Sequence, residues 1–540
     1  MMRLRHNNEA SQAFPVIPES RPTQRASRFM QRVFLGLILL AGLWGGGCSS
    51  LPALDSRTSS SALTYDEALA TPLGKAVGPL LDAHPEVSGV FALQTAKDAF
   101  AARIVLASVA ERTLDVQYYI WRNDLTGNLL FEALHHAAER GVRVRLLLDD
   151  LPTAGLDETL AALNAHPNLE VRLFNPFVFR NFRALDFILD FSRAHRRMHN
   201  KSFTADNMVT IVGGRNIGDE YFGATNDNLF ADLDVLTVGY VVREVSANFD
   251  RYWDSRAAYP LEAIVAQADA AVVGMPELDP DKSAKVEYFL DAVRDSRFMS
   301  DLAAGNLALE WTNVRMVSDD PDKVLQKSAP EDLIIPQLRD VVGVPTREVD
   351  LISPYFVPTK TGVAAFAAMA EKGVQIKVLT NALEATDVFP AHAGYAKRRK
   401  DLLDSGIVLY EFKLSSTMQP YSGKAGPFGS SGASLHAKTF SVDASRVFVG
   451  SFNFDPRSAK LNTELGFVID STSLAEKISN AFETTIPANA YEVRLNDEGH
   501  LYWLELQEGK LIRHDVEPGT TTLQRSVIWI LSRLPIEWLL

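Results

Sequence analysis

Two histidines, each followed by a lysine two residues later, carry the chemistry legible in this chain. His199-Asn200-Lys201 precedes Asp206, and His436-Ala437-Lys438 precedes Asp443, so both stretches read H-x-K-x4-D. A Gly-rich segment ending in Asn follows each at a matched offset. It reads Gly213-Gly214-Arg215-Asn216 after the first copy and Gly450-Ser451-Phe452-Asn453 after the second. One such pattern can arise by accident; two copies with matched trailers do not. Along a strand, period two puts His199 and Lys201 on one face, and His436 and Lys438 likewise. Bringing the pairs together surrounds one small volume with two imidazoles, two ammonium groups and two side-chain amides.

That set suits a phosphodiester. Lys201 and Lys438 neutralise the nonbridging oxygens, while Asn216 and Asn453 donate further hydrogen bonds. One imidazole attacks phosphorus and forms a covalent phosphohistidine. The other protonates the leaving oxygen, then deprotonates the incoming alcohol or water. An unperturbed imidazole pKa of about 6.5 serves both roles. Asp206 and Asp443 complete the catalytic triplets but lie too far along their strands to touch phosphorus. They are expected to orient and support. Neither step requires a cofactor or a metal, and the sequence offers no metal-ligand cluster of suitable spacing.

The elements that must position these residues repeat as well. Residues 114–120 form a strand-like run that leads through Thr126-Gly127 into a helical pattern ending at Gly141. A strand over 142–148 follows at once. In the second half, 349–352 leads through Thr361-Gly362 to Gly373 and a strand over 374–379. Each closing glycine sits where a helix stops and turns into a strand, a position suited to positive φ. A third apolar strand follows in each half, 171–174 and 407–410, and then the H-x-K-x4-D pattern. Alternating strands and helices predict an α/β sandwich, here duplicated. Tyr118, Tyr119 and Trp121 read equally as a lipid-facing groove or as core.

At 540 residues, 46% hydrophobic and 22% charged, the chain has room for two ordinary domains or one large pseudo-symmetric one. A net charge of -13 argues against broad electrostatic binding of nucleic acid. The single cysteine excludes intrachain disulfides and Cys-rich metal sites. Its position is informative. Arg21, Arg25, Arg28 and Arg32 precede an apolar run over 33–44, followed by Gly45-Gly46-Gly47-Cys48. Basic residues, a short apolar run and small residues describe an export signal, with Met30 an alternative start. The segment resembles the processing site of bacterial lipoproteins, although Gly45 stands where an aliphatic residue is usual. On that resemblance Cys48 is the lipidated residue, and the protein is attached to a membrane of the bacterial envelope, facing the periplasm; an uncleaved N-terminal anchor, or a buried Cys48 after an ordinary signal, is the alternative.

The organisation expected is therefore a signal segment over 1–48, a Ser/Ala/Pro-rich tether over 49–85, and a first repeat over 86–270. A connecting segment over 271–340, a second repeat over 341–515 and an apolar tail over 516–540 follow. The Gly/Ser-rich stretch 422–434 reads as a flap or a plain loop. In the tail, Trp529 and Trp538 with few charges suit a helix lying in a membrane interface.

The paired motifs resemble those of the phospholipase D superfamily, whose two halves meet across a pseudo-two-fold axis to build one shared active site. The second trailer adds Asp455, Arg457, Ser458, Asn462 and Glu464, matching the superfamily pattern GSxNxDxRSxxxNxE. The first is degenerate: Arg215 replaces Ser, and Asp232 and Asp234 stand near where an acidic partner falls, with Asp234 taken as the counterpart of the supporting residues Ser451 and Glu464. Within the superfamily, residues 196–203, residues 213–219 and Leu534-Pro535-Ile536-Glu537 are similar to bacterial cardiolipin synthases of the C type. That resemblance implies phosphatidyl transfer onto phosphatidylglycerol, with phosphatidylethanolamine as donor. It also implies His199 as the nucleophile and His436 as the general acid. Hydrolysis by a phospholipase D, an exported nuclease and a non-catalytic envelope lipoprotein are the alternatives. The acidic charge and apolar tail disfavour the nuclease, and no nucleic-acid partner is expected.

Overall fold

Thr113–Tyr118 is buried along its whole length because it is a central strand, with Arg143–Asp149 parallel on one edge and Ser202–Ala205 antiparallel on the other, and packed elements on its faces. It pairs in parallel with Arg143–Asp149, which pairs in parallel with Leu169–Phe174. The second half repeats this order with Glu348–Ile352, Gln375–Asn381 and Val408–Phe412. The helices Leu125–Glu139 and Thr359–Ala370 make the first crossovers. Gly141 and Gly373 follow them at φ 95° and 88°, the left-handed conformation expected at those turns. The computed structural model describes residues 51–540 apart from 55–56, 225–228, 266–279 and 415–432. The signal segment with Cys48, and residues 422–432 of the Gly/Ser-rich stretch, lie outside the described residues.

Beside each parallel trio runs an antiparallel hairpin, Ser202–Ala205 with Val209–Gly213 and Thr439–Val442 with Arg446–Gly450. The described strands make sheets of nine and ten. Their inner faces share one core, in which Val212 and Val235 of the first half meet Val447, Val449 and Phe467 of the second. The duplicated α/β architecture is thus present, with its two sheets packed together through the hairpins that follow the motifs.

One segment differs from expectation, and the connecting segment adds strands to both sheets. Within 49–85 the chain folds into helices Tyr65–Ala70 and Pro72–Ala83, with Ala68 and Val77 in the core. A capping box of Thr64 and Glu67 starts the first helix. Upstream, Arg145 donates to Ser60 O at 2.9 Å, and Leu63 N donates to Asn207 at 2.8 Å. The Ser/Ala/Pro composition suggests a tether, but Leu63, Leu69, Leu73 and Leu81 pack beside Ala68 and Val77 against the core. The connecting segment is likewise structural. Glu310–Thr312 closes the edge of the first sheet and Val314–Ser318 the edge of the second, so Asn313 alone separates them.

In the tail, a Thr521/Gln524 capping box opens the helix Thr522–Arg533. Ile528 and Leu531 pack it against Ala393 and Ala396 of Phe389–Ala396. No described helix is long and apolar enough to cross a membrane. Tyr118 and Trp121 belong to the core, Trp121 stacking on Phe131 at 4.4 Å.

Candidate active site

Each H-x-K stretch is an extended segment lying just ahead of its strand, and the opposite half holds it in place. His199 N donates to Thr463 O at 2.8 Å, and Thr463 N to Arg197 O at 2.9 Å. In the other copy, Ala433–Leu435 pairs in parallel with Leu229–Ala231, and His436 N donates to Ala231 O at 2.9 Å. Thr463 and Ala231 immediately precede Glu464 and Asp232. The cross-half pairing therefore delivers a carboxylate to each imidazole. Glu464 Oε2 lies 2.8 Å from His199 Nδ1, and Asp232 Oδ2 lies 2.6 Å from His436 Nδ1. A carboxylate only accepts, so Nδ1 carries the proton in both rings and Nε2 presents its lone pair. Ser451 Oγ donates to Glu464 Oε2 at 2.5 Å, and Leu233 N donates to Asp232 Oδ1 at 2.8 Å.

Both imidazoles open onto one cavity of about 870 Å³, lined also by Asn216, Asn453, Tyr119, Tyr221, Tyr355 and Arg457. Tyr119 sets its ring edgewise on His199 at 5.1 Å, and Tyr221 does the same on His436 at 5.2 Å. Asn216 accepts from Ile120 N at 3.1 Å and donates to Tyr221 OH at 3.1 Å. Asn453 Oδ1 is buried with no hydrogen-bond partner among the described residues. Val388, Pro390, Leu539 and Leu540 give the same cavity an apolar wall.

The lysines lie in the wall behind the imidazoles rather than among the lining residues. Lys201 Nζ donates to His199 O and Lys438 Nζ to His436 O, each at 2.5 Å. Lys438 Nζ also sits 3.2 Å from His436 Nε2. Burial pulls the lysine pKa values down to about 7 for Lys201 and about 8 for Lys438, against the pull of Glu464 and Asp232. Burial also dominates at the imidazoles. It lowers His199 to about 4, offset in part by Glu464, and His436 to about 3, with Lys438 adding to the depression. Asp232 is held down at about 2, the His436 hydrogen bond and the nearby cations outweighing its burial. The site thus holds neutral imidazoles beside anionic carboxylates. An entering phosphodiester anion raises both imidazoles.

Three expected placements need correction. Asp206 and Asp443 are outside the site, seven residues along strands that rise about 3.3 Å per residue. Asp206 accepts from Arg112 N at 2.8 Å and Thr113 N at 2.9 Å, and Asp443 from Arg347 N at 2.7 Å and Glu348 N at 3.1 Å. Each pins the start of the neighbouring parallel strand, at the end remote from the imidazole. Asp234 also does not meet a histidine. It pairs with Arg103 at 2.8 Å and with Arg215 at 3.5 Å. Arg215 occupies the Ser position of the first trailer because this second buried carboxylate needs a cation, and it also donates to Asp232 O at 2.5 Å. The acidic partner is Asp232. Its signal was masked by spacing: it follows Asn216 by sixteen residues, whereas Glu464 follows Asn453 by eleven. Tyr221 and Tyr355 gave no sequence signal.

Two crossed imidazole–carboxylate pairs around one cavity, in a duplicated α/β fold, define a phospholipase D-type phosphodiester site. The family model described as cardiolipin synthase, PLD-like domain, matches residues 104–253 and 340–486, and the chain belongs to that family. It is 49% identical over 470 residues to cardiolipin synthase C of Escherichia coli strain K12, covering 87% of this chain and 99% of that protein. An uncharacterized protein of Helicobacter pylori is 30% identical over 501 residues, covering 91% of this chain and 97% of its own. Among solved structures, phosphatidylserine synthase of Haemophilus influenzae Rd KW20 shares the fold. Its TM-score is 0.54 at 14% identity, with 86% of this chain and 99% of that one covered.

Proposed function

We propose that the protein is a membrane-associated phosphatidyltransferase that makes cardiolipin from phosphatidylglycerol and phosphatidylethanolamine through a phosphohistidine. The observation that carries this reading is the pair of imidazoles on one cavity, each oriented by a carboxylate of the opposite half. In the first step His199 Nε2 attacks phosphorus of phosphatidylethanolamine. The bond from phosphorus to the ethanolamine oxygen breaks, and His436, which takes up a proton from solvent on Nε2 as the phosphodiester anion enters, gives that proton to the oxygen. In the second step a headgroup hydroxyl of phosphatidylglycerol loses its proton to His436. Its oxygen attacks phosphorus, the bond to His199 breaks, and cardiolipin leaves.

The assignment of His436 as the acid follows the resemblance of the paired motifs to the phospholipase D superfamily, and Lys438 Nζ lies 3.2 Å from its Nε2. Both lysines place positive charge next to the developing charge on the phosphoryl oxygens, in a site shielded from water. The apolar cavity wall suits the diacylglycerol side of the substrate, and similarity to cardiolipin synthase C supports the choice of acceptor. The basic segment, apolar run and Cys48 support attachment to the bacterial envelope on its periplasmic face. Loss of lipid labelling in Cys48→Ala is expected, and unchanged labelling sinks that attachment.

The function is tested by expressing the protein in a bacterium lacking its own cardiolipin synthases and analysing its lipids by mass spectrometry. Cardiolipin is expected with the wild type and not with His199→Ala or His436→Ala. Phosphatidic acid without cardiolipin would assign hydrolysis instead.

A further inference from the structure

Two apolar surfaces flank the catalytic cavity. One is an arm formed by Arg180–Phe182 and the helices Ala184–Leu189 and Phe191–Ala194. Phe182, Ile188 and Leu189 are 71%, 75% and 67% exposed. This exposure does not come from a loose segment, because the polar side of the arm is bonded inward. Asp186 accepts from Val178 N and Phe179 N at 2.9 Å, and Arg183 donates to Asp150 O at 2.6 Å. The other surface is the Thr522–Arg533 helix and the residue after it. Leu523, Val527, Ile530 and Leu534 are spaced four, three and four apart, which places them on one stripe. All four are exposed, while Ile528 and Leu531 on a neighbouring face pack inward. Beside the stripe, Arg533 lies over the exposed ring of Trp529 at 4.5 Å, a pairing suited to a headgroup layer.

Both surfaces are fastened to one residue of the catalytic trailer. Arg457 lines the cavity and donates to His195 O, at the end of the arm, at 2.6 Å. Its other nitrogen donates to Leu539 O at 3.3 Å, and its backbone N donates to Leu540 O at 2.7 Å. Trp538 meets Phe191 of the arm edgewise at 6.5 Å. The chain segments that follow both apolar surfaces therefore meet at the rim of the cavity. Within residues 180–197, Arg180 is turned to Asp150 and Asp157, Arg193 to Asp186 and Asp190, and the buried Arg197 to Asp149, so the outward side of the arm is left to its apolar residues.

We infer that the arm and the Thr522–Arg533 helix form a single docking surface for a phospholipid bilayer, seating the cavity mouth at the headgroup layer. The inference rests on the reading of the substrate as a lipid. It explains why an acidic protein keeps rigid, outward-facing Ile, Leu and Trp side chains beside its active site. A membrane-bound substrate then reaches the imidazoles without leaving the bilayer.

The test uses the full chain with Ile188→Glu/Leu189→Glu and Leu523→Glu/Ile530→Glu variants. Transfer is measured on vesicles of phosphatidylethanolamine and phosphatidylglycerol, and on short-chain forms of both lipids kept below their micelle concentration. At least a tenfold loss on vesicles, with short-chain turnover within twofold of wild type, is expected. Unchanged turnover on vesicles, or equal loss on both substrates, overturns the docking surface. In parallel, brominated acyl chains in the same vesicles should quench a fraction of the tryptophan emission that disappears in Trp529→Phe/Trp538→Phe. Absence of that fraction overturns the inference whatever the turnover. Failure of the wild type on both substrates, with the quenching present, strikes the phosphatidyl-transfer reading and leaves the docking surface standing.

Discussion

Asp232 and Asp234 are buried carboxylates two residues apart, yet they do different work. Asp232 fixes the His436 tautomer, so Asp232→Asn is expected to cut kcat at least about 100-fold with little change in unfolding midpoint. Asp234 neutralises Arg103 and Arg215. Asp234→Ala leaves those buried cations unpaired and is expected to cost about 3–5 kcal/mol in urea unfolding. The titration of the site sets a second expectation at this scale. His199 must be neutral to attack, and its lowered pKa of about 4 keeps it neutral above that pH. Lys201 and Lys438 must be charged, and their lowered values of about 7 and 8 discharge them as pH rises. On a soluble substrate kcat/KM should therefore fall further above pH 7 to 8, as the lysines discharge. An alkaline limb beyond pH 10 would contradict the buried-lysine account.

At the scale of elements, the aspartates of the two triplets are strand anchors. Asp206 is wholly buried and accepts backbone N–H groups at the start of Thr113–Tyr118, whereas Asp443 serves Glu348–Ile352 from a half-exposed position. Asp206→Ala should lower stability by about 1–3 kcal/mol for the donors it leaves buried and unsatisfied. Asp443→Ala should cost less, because water reaches its partners. Both variants should retain kcat at a temperature where they are folded, and a loss of kcat without a loss of stability would return these residues to the catalytic machinery. Much at this scale was legible in the sequence. The parallel trios, the crossover helices and the turns at Gly141 and Gly373 follow from periodicity and local backbone demands. The helices of 65–83 were hidden by a linker-like composition, although Thr64 and Glu67 carried their start signal.

For the whole molecule, duplication has a consequence that neither repeat shows alone. Each histidine is oriented by the half that does not contain it, and a common core of Val212, Val235, Val447 and Val449 holds the halves together. Unfolding should therefore be cooperative across both. Val447→Ala is expected to shift the urea transition of first-half and second-half probes equally, and two separated transitions would contradict a shared core. The histidines, lysines and asparagines were legible because they repeat. The crossed pairing was not, because it depends on contacts between residues more than two hundred positions apart. The unequal spacing to Asp232 and Glu464 also obscured their equivalence.

The most direct test of the shared site is to quench the enzyme during turnover of phosphatidylethanolamine and map the covalent adduct by mass spectrometry. The crossed-dyad account predicts a phosphatidyl adduct on the peptide containing His199, absent in His199→Gln. Turnover with the adduct on His436, or with no adduct on either histidine, would contradict it.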